Sequence, residues 1–339
     1  MERIRGLREY TQTAYFKEAL EIPRQEEVEF RLLAQGEYNI NYEFWHPVRK
    51  ERMLLRVNCQ SQMHLKHQIE YEANALQLLK SSGRVPGVYF VDGSKKKLDH
   101  GIMVMEYLPG RALNYHKDLE KAAEILADIH SVEMPEKCGL IHPKDPLRAI
   151  LEECEAMVKT YMESPFGKEH TKKKIRMLLD REWKRIAAEE GKRSQMRHCC
   201  INTELNSTNF LINAGGRSDY LIDWEKPLLG EVAQDLGHFL APTTTFWKTD
   251  VILSHIQTEE FLETYIEKVG GRFSVEGLKE RVHNFVPVTC MRGITWCAMA
   301  WIQYRDPEKL IINESTLHKL EAYLSDAFLG YIEERSLTI

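Results

Sequence analysis

Two neighbouring stretches of the chain decide its interpretation: NTELNSTNFLI at residues 202–212 and YLIDWE at residues 220–225. Each contains a short apolar run typical of a β-strand, and a Gly-rich turn joins the two runs into a hairpin. Glu204 and Asn209 precede the first predicted strand, and Asp223 follows the second. Phosphoryl transfer needs a group that orients the acceptor hydroxyl and oxygen ligands for Mg²⁺ on the nucleotide phosphates. The hairpin therefore predicts a phosphoryl-transfer site.

Upstream of this hairpin, the pattern is typical of a small β-rich unit. Short runs rich in β-branched and aromatic residues alternate with turn signals, and one long helical pattern interrupts them. The predicted strands cover residues 27–33, 38–45, 52–58, 88–91 and 102–108, and the predicted helix covers residues 64–81. The pattern predicts about five strands with a single helix inserted after the third.

Helical patterns dominate the residues before and after this β-rich unit. They cover residues 8–21, 119–132, 146–193 with a break near 164–167, and 232–336. We therefore predict an α+β, bilobal architecture with a small β-rich N-terminal lobe and a larger, mainly helical C-terminal lobe. The predicted divisions are a helical segment at 1–27, a first lobe at 28–110 and a second lobe at 111–339.

The composition is that of an ordinary globular protein. Of the 339 residues, 43% are hydrophobic and 29% are charged, which excludes disordered and fibrous classes. The formal net charge of −5 argues against nucleic acid as a partner. The first residues are charged and lack an apolar run, so no secretion signal is expected and the cytoplasm is the expected location.

The most apolar long window, residues 285–304, is the main candidate for a membrane span. It contains Pro287, Arg292 and Gly293, and its unbroken apolar part is too short to cross a bilayer. We therefore interpret it as a buried helix and expect no membrane partner. The seven cysteines are scattered without a CxxC pair, so buried, reduced thiols are expected rather than a metal site.

The two opening stretches resemble the active-site segment of the aminoglycoside phosphotransferase and choline kinase family, which has the protein-kinase-like fold. The family pattern is His-Gly-Asp-Leu-x-x-x-Asn, an apolar strand, a hairpin, and then Ile-Asp-Trp/Phe-Glu. Further parts follow in the family's order: a hinge-like segment at 102–110, a helix with LADIH at 126–130, and GEVAQDL at 230–236. The resemblance extends over roughly residues 28–305.

This resemblance implies roles for residues on the nucleotide side of the site. Asn209 and Asp223 match the positions that bind Mg²⁺, and Arg56 occupies the place of the strand-three lysine that contacts the phosphates of ATP. The ion-pair partner of Arg56 is expected to be Glu72, with Glu70 as the alternative. Further cofactor contacts are implied for the phosphate loop, Gly36, Glu37, Tyr38 and Asn39, and for the hinge, Met105, Glu106, Tyr107 and Leu108.

On the acceptor side, the sequence departs from the family pattern. Glu204 stands where the family has its catalytic aspartate, and Asn202 stands where it has the preceding histidine. Glutamate keeps the carboxylate and a similar pKa, but its extra methylene moves the oxygens by about 1.5 Å, an error that can cost about 10²-fold in rate. Asp235 is expected to anchor the catalytic loop. The aromatic residues Trp247, Trp296, Trp301 and Tyr304 are expected in the core, with one or two in an acceptor pocket as the alternative.

We therefore predict a phosphotransferase that uses ATP or another nucleoside triphosphate together with Mg²⁺. Its acceptor would be a hydroxyl of a small molecule, such as an amino sugar, an amino alcohol or a related metabolite. The alternative is a kinase-like binding or regulatory module that has lost turnover through the changes at residues 202 and 204. Protein kinases and common hydrolases are disfavoured because their signature triplets and motifs are absent from suitable places. The identity of the acceptor and the oligomeric state stay open.

Overall fold

The computed structural model describes residues 4–36, 38–61, 63–188, 196–305 and 314–338. Its N-terminal part contains a five-stranded antiparallel sheet, and its C-terminal part is mainly helical. The predicted α+β, bilobal fold is therefore confirmed. The chain passes from one lobe to the other directly after the last strand of this sheet, at residues 107–110.

The N-terminal lobe combines the sheet with three helices. Its strands are β1 (Phe30–Gln35), β2 (Asn39–His46), β3 (Glu51–Asn58), β4 (Val88–Asp92) and β5 (Gly101–Glu106), in the order β1-β2-β3-β5-β4. Helices α1 (Leu7–Thr11) and α2 (Ala14–Ala19) precede the sheet, and α3 (Gln68–Leu79) with a 3₁₀ turn at Lys80–Ser82 lies between β3 and β4. The predicted single helix after the third strand is confirmed.

Two sequence-based boundaries in this lobe are wrong. The continuous helix predicted at 8–21 is two helices, because Thr13 adopts an extended conformation and its hydroxyl caps α2 by accepting from Phe16 N. The first strand lies later than predicted, because its pairing with β2 places Gln35 opposite Ile40. Register in a sheet depends on the partner strand, which local apolar content does not reveal.

The C-terminal lobe is built from nine helices among the described residues, with short strand pairs around the predicted hairpin. The strands are β6 (Arg111–Ala112), β7 (His198–Ile201), β8 (Phe210–Ile212), β9 (Tyr220–Leu221) and β10 (Leu228–Glu231), and a 3₁₀ turn lies at Ser207–Asn209. The helices are α4 (Leu119–His130), α5 (Pro146–Glu163), α6 (Glu169–Ala188), α7 (Val232–Leu240), α8 (Pro242–Thr245), α9 (His255–Val269), α10 (Leu278–Gln303), α11 (Glu314–Tyr323) and α12 (Asp326–Thr338).

The predicted hairpin is confirmed as the pair β8 and β9, which β6 extends to three strands. The pair β7 and β10 and the strand β6 were not predicted, because such short strands are specified by partners that are distant in sequence. The predicted helix at 146–193 is divided at the expected break into α5 and α6, and its last part, 189–193, lies outside the described residues.

The side chains of strand β3 point alternately to the two faces of the sheet, and the two faces pack against different apolar clusters. Met53, Leu55 and Val57 join one apolar cluster with α1 and α2, whereas Leu54 packs against the main core that includes α3 and the C-terminal lobe. Successive side chains of a strand point to opposite faces. Arg56 therefore lies on the α3 side of the sheet, where the two lobes meet.

Helix α10 is the central helix of the C-terminal lobe and packs against α5 and α7. By length and composition it could cross a membrane, but 72% of its most apolar window is buried within the fold. The interpretation of residues 285–304 as part of a buried helix is therefore confirmed. At Gly293 a Cβ atom would stand 2.7 Å from Thr243 Cβ, so glycine allows α10 to approach α8 closely.

Candidate active site

A cleft of about 570 Å³ lies between the sheet and the C-terminal lobe. The described residues of the predicted site all line this one cleft: Gly36, Asn39, Arg56, Glu72, Glu106, Leu108, Glu204, Asn209 and Asp223. Glu37 of the predicted phosphate loop lies outside the described residues. Sequence positions that are more than 180 residues apart are thus brought together at one site.

At the end of the cleft below the sheet, one arginine faces three carboxylates. Arg56 Nη2 lies 2.8 Å from Asp223 Oδ1 and 3.3 Å from Glu225 Oε2, and its Nε lies 3.2 Å from Glu72 Oε2. The guanidinium is almost fully buried, and its planar fork allows it to reach several oxygens at once. Arg56 therefore ties β3, α3 and the β9–β10 segment together.

The structure resolves the choice of ion-pair partner in favour of Glu72. Glu72 is buried on the inner face of α3, whereas Glu70 is half-exposed and faces His67. The contact of Arg56 with Glu72 is an ion pair without a directed hydrogen bond, because neither Arg56 Nε nor Glu72 Oε2 has a hydrogen-bond partner in the described structure. Glu225, which follows Asp223 by two positions, was quoted in the motif but assigned no role.

This end of the cleft carries more negative than positive charge. Burial raises the pKa of Glu72 to about 7, although Arg56 acts in the opposite direction. Burial and the nearby Asp223 raise the pKa of Glu225 to about 8. Carboxylates with raised pKa values favour a neighbouring cation, because it removes the mutual repulsion of their charged forms.

Asn209 and Asp223 are the side chains here that fit a Mg²⁺ ion. The amide nitrogen of Asn209 donates to Glu204 O at 2.8 Å, which leaves the amide oxygen as the ligating atom. Asp223 shares one oxygen with Arg56 and is about one-third exposed to the cleft. Mg²⁺ commonly takes one or two protein oxygens and completes its shell with phosphates and water. The oxygen donors and the surplus of carboxylates therefore fit the ion.

Asn39 links the phosphate loop to the same carboxylates. Its amide nitrogen donates to Glu225 Oε2, and its own amide oxygen accepts from Asn58 Nδ2 at 2.9 Å. Gly36 N donates to Asn39 O at 2.9 Å and closes the turn between β1 and β2. A Cβ atom at Gly36 would meet no atom nearer than 3.7 Å, so this turn does not depend on glycine.

The hinge residues lie along the edge of the cleft after β5. Glu106 N donates to Gly87 O at 2.8 Å, and the Glu106 carboxylate accepts from Gly87 N at 3.2 Å. These bonds fix the hinge against the segment before β4. The Glu106 side chain is therefore engaged with the protein, and a nucleotide contact at Glu106 would have to come from its backbone.

The catalytic loop is held by the buried carboxylate of Asp235 in α7. Asp235 accepts from Asn202 N and Thr203 N, each at 2.8 Å, and lies 3.3 Å from His130 Nε2. The predicted anchoring role of Asp235 is confirmed by these bonds. They fix the loop backbone immediately before Glu204.

Asn202 performs a structural task in the same loop. Its side-chain nitrogen donates to Asp223 O at 2.9 Å, and its side-chain oxygen accepts from Glu204 N at 3.0 Å. A carboxamide has both a donor and an acceptor, so one side chain links the loop that carries Glu204 to the segment that carries Asp223. The departure from the family pattern at this position therefore keeps the two segments connected.

The third departure from the family pattern is Thr203, which the sequence shows between Asn202 and Glu204. Thr203 occupies the glycine position of the family pattern and has φ of 67°, which is unfavourable for a β-branched residue. Its amide is fixed by Asp235, and its hydroxyl donates to Lys226 O at 2.8 Å. Local strain of this kind persists where surrounding bonds over-determine the backbone, and it concentrates at functional sites.

At the other end of the cleft, two cations and a second carboxylate form a cluster with Glu204. Arg292 Nη2 lies 3.7 Å from Glu204 Oε1, and Arg292 Nε lies 3.1 Å from Glu153 Oε2. Glu153 also pairs with Lys226 Nζ at 3.0 Å. Burial raises the pKa of Glu204, and Arg292 and Lys226 oppose this shift. A carboxyl group with a raised pKa is suited to accept a proton from a hydroxyl.

Sequence reasoning missed most of this second cluster. Glu153 and Lys226 stand in charged surroundings without a distinctive pattern. Arg292 had a recognisable signal, because it is the single charged residue in the apolar window 285–304, and a buried charge needs partners. Among the aromatic residues, Trp301 is buried and Tyr304 packs against the core, as expected. Trp247 and Trp296 also pack against the core but line the cleft as well, which agrees with the alternative position for these two.

Comparison with known proteins agrees with this geometry. A family model described as "Phosphotransferase enzyme family" matches residues 29–278. A search of curated proteins found no match.

Solved structures of similar fold include an ethanolamine kinase from Plasmodium vivax, with TM-score 0.61, 14% identity, and coverage of 91% of this chain and 83% of that one. A spectinomycin phosphotransferase in complex with ADP and spectinomycin has TM-score 0.61, 13% identity, and coverage of 93% and 94%. A choline kinase from Cryptosporidium parvum has TM-score 0.60, 11% identity, and coverage of 92% and 89%. At these identities the likeness concerns the fold, and the predicted protein-kinase-like architecture is confirmed.

Proposed function

The chain belongs to the phosphotransferase enzyme family, and from this premise we propose that it transfers the γ-phosphoryl group of ATP to a hydroxyl of a small molecule, with Mg²⁺ as cofactor. The observation that carries the proposal is the position of Arg56, which joins β3, α3 and Asp223 at one end of the cleft. Nucleotide complexes support ATP as the donor, since the spectinomycin phosphotransferase was solved with ADP and an amicoumacin kinase with AMP-PNP.

On the nucleotide side, the hinge at Met105–Leu108 would receive the adenine, and Arg56 would contact the phosphates. Asp223 and Asn209 would hold Mg²⁺, which supplies charge neutralisation on the transferred phosphoryl group. Arg56 gives up part of its contact with Asp223 and Glu225 when it binds phosphate. Glu72 keeps the guanidinium in place, because it approaches a different nitrogen of the same fork.

On the acceptor side, Glu204 would orient the hydroxyl and accept its proton as the oxygen attacks the γ-phosphorus. Asp235 fixes the loop backbone, and Asn202 links that loop to the Asp223 segment. Together they hold Glu204 relative to the phosphates. Glutamate is one methylene longer than the aspartate of the family pattern. A loop backbone that is fixed slightly farther from the phosphates would place the carboxylate oxygens at the same point.

The proposal is tested first by nucleotide binding. ATP with Mg²⁺ is expected to raise the melting temperature of the protein, since a ligand that binds only the folded state stabilises it. Asp223→Ala should abolish this stabilisation and reduce ATP-dependent turnover by about 10³-fold, the magnitude expected when electrostatic stabilisation of transferring charge is removed. The matched control is Asp250→Ala, which removes an exposed carboxylate outside the cleft.

A binding or regulatory module is the second candidate, and the strained Thr203 with Glu204 next to Arg292 is the observation in its favour. A module of this kind would bind ATP with Mg²⁺ in the thermal-shift measurement and consume none of it with any hydroxylated acceptor. Turnover with an acceptor that is lost in Glu204→Gln would exclude it. An absence of any stabilisation by ATP would contradict both candidates.

A further inference from the structure

Several side chains in the half of the cleft beyond Glu204 can donate hydrogen bonds. His238 Nδ1 accepts from Leu205 N at 3.1 Å, so the ring proton lies on Nε2. Burial, with Arg292 and Lys226 nearby, lowers the pKa of His238 to about 3, so the ring is neutral and Nε2 is a donor. The indole N–H of Trp296 is a further donor in this lining.

Positive charge adds to these donors. Arg292 lines this half, and so does Lys248, whose side chain is exposed and whose ammonium lies 5.4 Å from the ring centroid of Trp247. Arg292 and Lys226 are balanced by Glu153 and Glu204, whereas no carboxylate of the described structure pairs with Lys248. The described part of this half therefore has an excess of positive charge at Lys248.

A cationic acceptor would lack a partner among the described residues here. The carboxylates that line the cleft are Glu72, Glu106, Glu204, Asp223 and Glu225. Glu204 is the one in this half, and Arg292 already faces it. The indoles Trp247 and Trp296 meet edge to face at 5.3 Å and form an aromatic wall of the kind that also binds ammonium groups. Lys248 lies over Trp247, so a second cation there would be repelled.

We propose that the acceptor is an anionic hydroxy compound, a small molecule that carries a carboxylate in addition to the hydroxyl that is phosphorylated. The inference rests on the proposed function and specifies the substrate class of that same site. The carboxylate is bound at Lys248, and the carbon skeleton lies against Trp247 and Trp296. In the reaction the hydroxyl oxygen forms a bond to the γ-phosphorus, the bond from that phosphorus to the β–γ bridging oxygen breaks, ADP leaves, and the hydroxyl proton passes to Glu204.

The experiment compares open-chain acceptors of similar size that differ in charge. Two series are used: glycerate, glyceramide and 3-amino-1,2-propanediol, and gluconate, glucitol and 1-amino-1-deoxyglucitol. ADP release and the ³¹P spectrum of the product are measured with the full chain, ATP and Mg²⁺, and binding of ATP with Mg²⁺ is measured separately by thermal shift. In at least one series, the hydroxy acid is expected to have kcat/KM at least 10-fold above its neutral and amino analogues.

Variants at Lys248 then locate the specificity. Lys248→Ala is expected to raise KM for the hydroxy acid by about 10-fold or more, the loss of one charge-assisted hydrogen bond, with little change in kcat and in KM for the neutral analogue. Lys248→Glu should shift the preference toward the amino analogue. The matched control is Lys97→Glu, which also removes a lysine that lies over an aromatic ring, at 4.6 Å from Tyr15, but away from the cleft.

The outcomes distinguish a failure of the inferred acceptor class from a failure of the proposed function. Preferential turnover of amino or neutral acceptors, or a preference for hydroxy acids that Lys248→Ala leaves unchanged, overturns the inference and leaves the proposed function standing. Failure of every hydroxy acid while ATP with Mg²⁺ still binds also overturns it. If ATP with Mg²⁺ does not bind at all, the proposed function is overturned as well.

Discussion

The two ends of the cleft differ in how their buried charges are compensated. The phosphate end places one cation, Arg56, among the carboxylates of Glu72, Asp223 and Glu225. The acceptor end surrounds Glu204 with two cations and a second carboxylate, so the charges of this four-residue cluster balance within the protein. The phosphate end therefore depends on a ligand cation to complete its electrostatics, whereas the acceptor end is complete without one.

This difference has a consequence for the phosphate end without its ligand. Burial and the nearby Asp223 raise the pKa values of Glu72 and Glu225, and the single cation Arg56 does not offset this shift. Burying unbalanced charge is costly, and it persists where a bound ligand neutralises it. Under the proposed function, this surplus of negative charge would favour the binding of Mg²⁺ together with the nucleotide.

The largest change in catalytic rate is expected from a substitution at the acceptor end of the cleft. Glu204→Gln should lower kcat by 10²- to 10⁴-fold, the usual contribution of a positioned general base, because the amide cannot accept the hydroxyl proton. The thermal shift with ATP and Mg²⁺ should persist, since the phosphate end is intact. Glu204→Asp is the matched control, because it keeps the carboxylate while shortening the side chain.

The pH profile of the wild-type enzyme adds a second readout for Glu204. Because the pKa of Glu204 is raised and the base must be deprotonated, kcat/KM should fall as the pH is lowered, with a midpoint above the ordinary glutamate value of about 4.3. A profile that is flat down to pH 5, or one in which Glu204→Gln retains turnover, would remove Glu204 from the proposed role.

The next prediction concerns how much Arg56 and Arg292 each contribute to the free energy of unfolding. Arg56→Met should lower the free energy of unfolding by about 3 kcal/mol, because it leaves three carboxylates without their shared counter-ion. Arg292→Met should cost less, roughly 1–2 kcal/mol, because Glu153 keeps Lys226 as a partner. Urea unfolding of both variants measures the difference, and equal losses would contradict the contrast drawn between the two ends.

A smaller effect is expected from pH on the unliganded protein. Glu72 and Glu225 bind protons more tightly in the folded than in the unfolded state, so their contribution to stability is full below about pH 4 and is lost as the pH rises through about 7 to 8. The free energy of unfolding should therefore decline as the pH rises across this range, and the mutual coupling of the two groups makes the decline gradual.

Two measurements check this pH dependence. Glu225→Gln should flatten the decline in urea-unfolding experiments between pH 5 and 9, because its side chain does not titrate. In the wild type, the stabilisation by ATP with Mg²⁺ should increase over the same range, because the ion replaces the bound protons. A decline of equal size in Glu225→Gln would show that other groups cause it.

The smallest effect concerns the strained loop between the two ends. Thr203→Gly would relieve the unfavourable φ, which costs about 1–2 kcal/mol, but would lose the hydroxyl bond to Lys226 O and increase the entropy of the unfolded chain, each worth about 1 kcal/mol. The free energy of unfolding should therefore change by less than about 1 kcal/mol. Thr203→Ala, which loses the bond and keeps the strain, should destabilise by about 1 kcal/mol in the same unfolding measurement.

The sequence predicted the parts of the site that follow from local patterns. Asp223 stands at the end of an apolar strand, and Asn209 stands directly before one, so their placement depends on short-range structure. Arg56 is predictable in the same way, because it is the charged residue in the apolar core of a strand and alternation assigns it to a face. The resemblance to a known family then joined these pieces in the correct order.

The contacts between distant segments could not be predicted in this way. Arg292, Glu153 and Lys226 come from α10, α5 and the segment after β9, and none of these segments indicates its neighbour. The choice of Glu72 over Glu70 likewise required the orientation of α3, since both residues belong to the same helical pattern. Such pairings depend on how helices pack, for which a single sequence has no periodic signal.

The sequence by itself determined the order of the two lobes, the family, and the placement of Arg56, Asn209 and Asp223 at the phosphate end, because short-range periodicity and a contiguous motif encode them. Only the tertiary structure decided that Glu204 belongs to a charge-balanced cluster, that Trp247 and Trp296 line the cleft, and that Thr203 carries backbone strain. These properties arise where α5, α8 and α10 meet the catalytic loop. The physical reason is that charge balance and pocket shape are set by distances between segments, whereas periodicity reports only the environment of each segment alone.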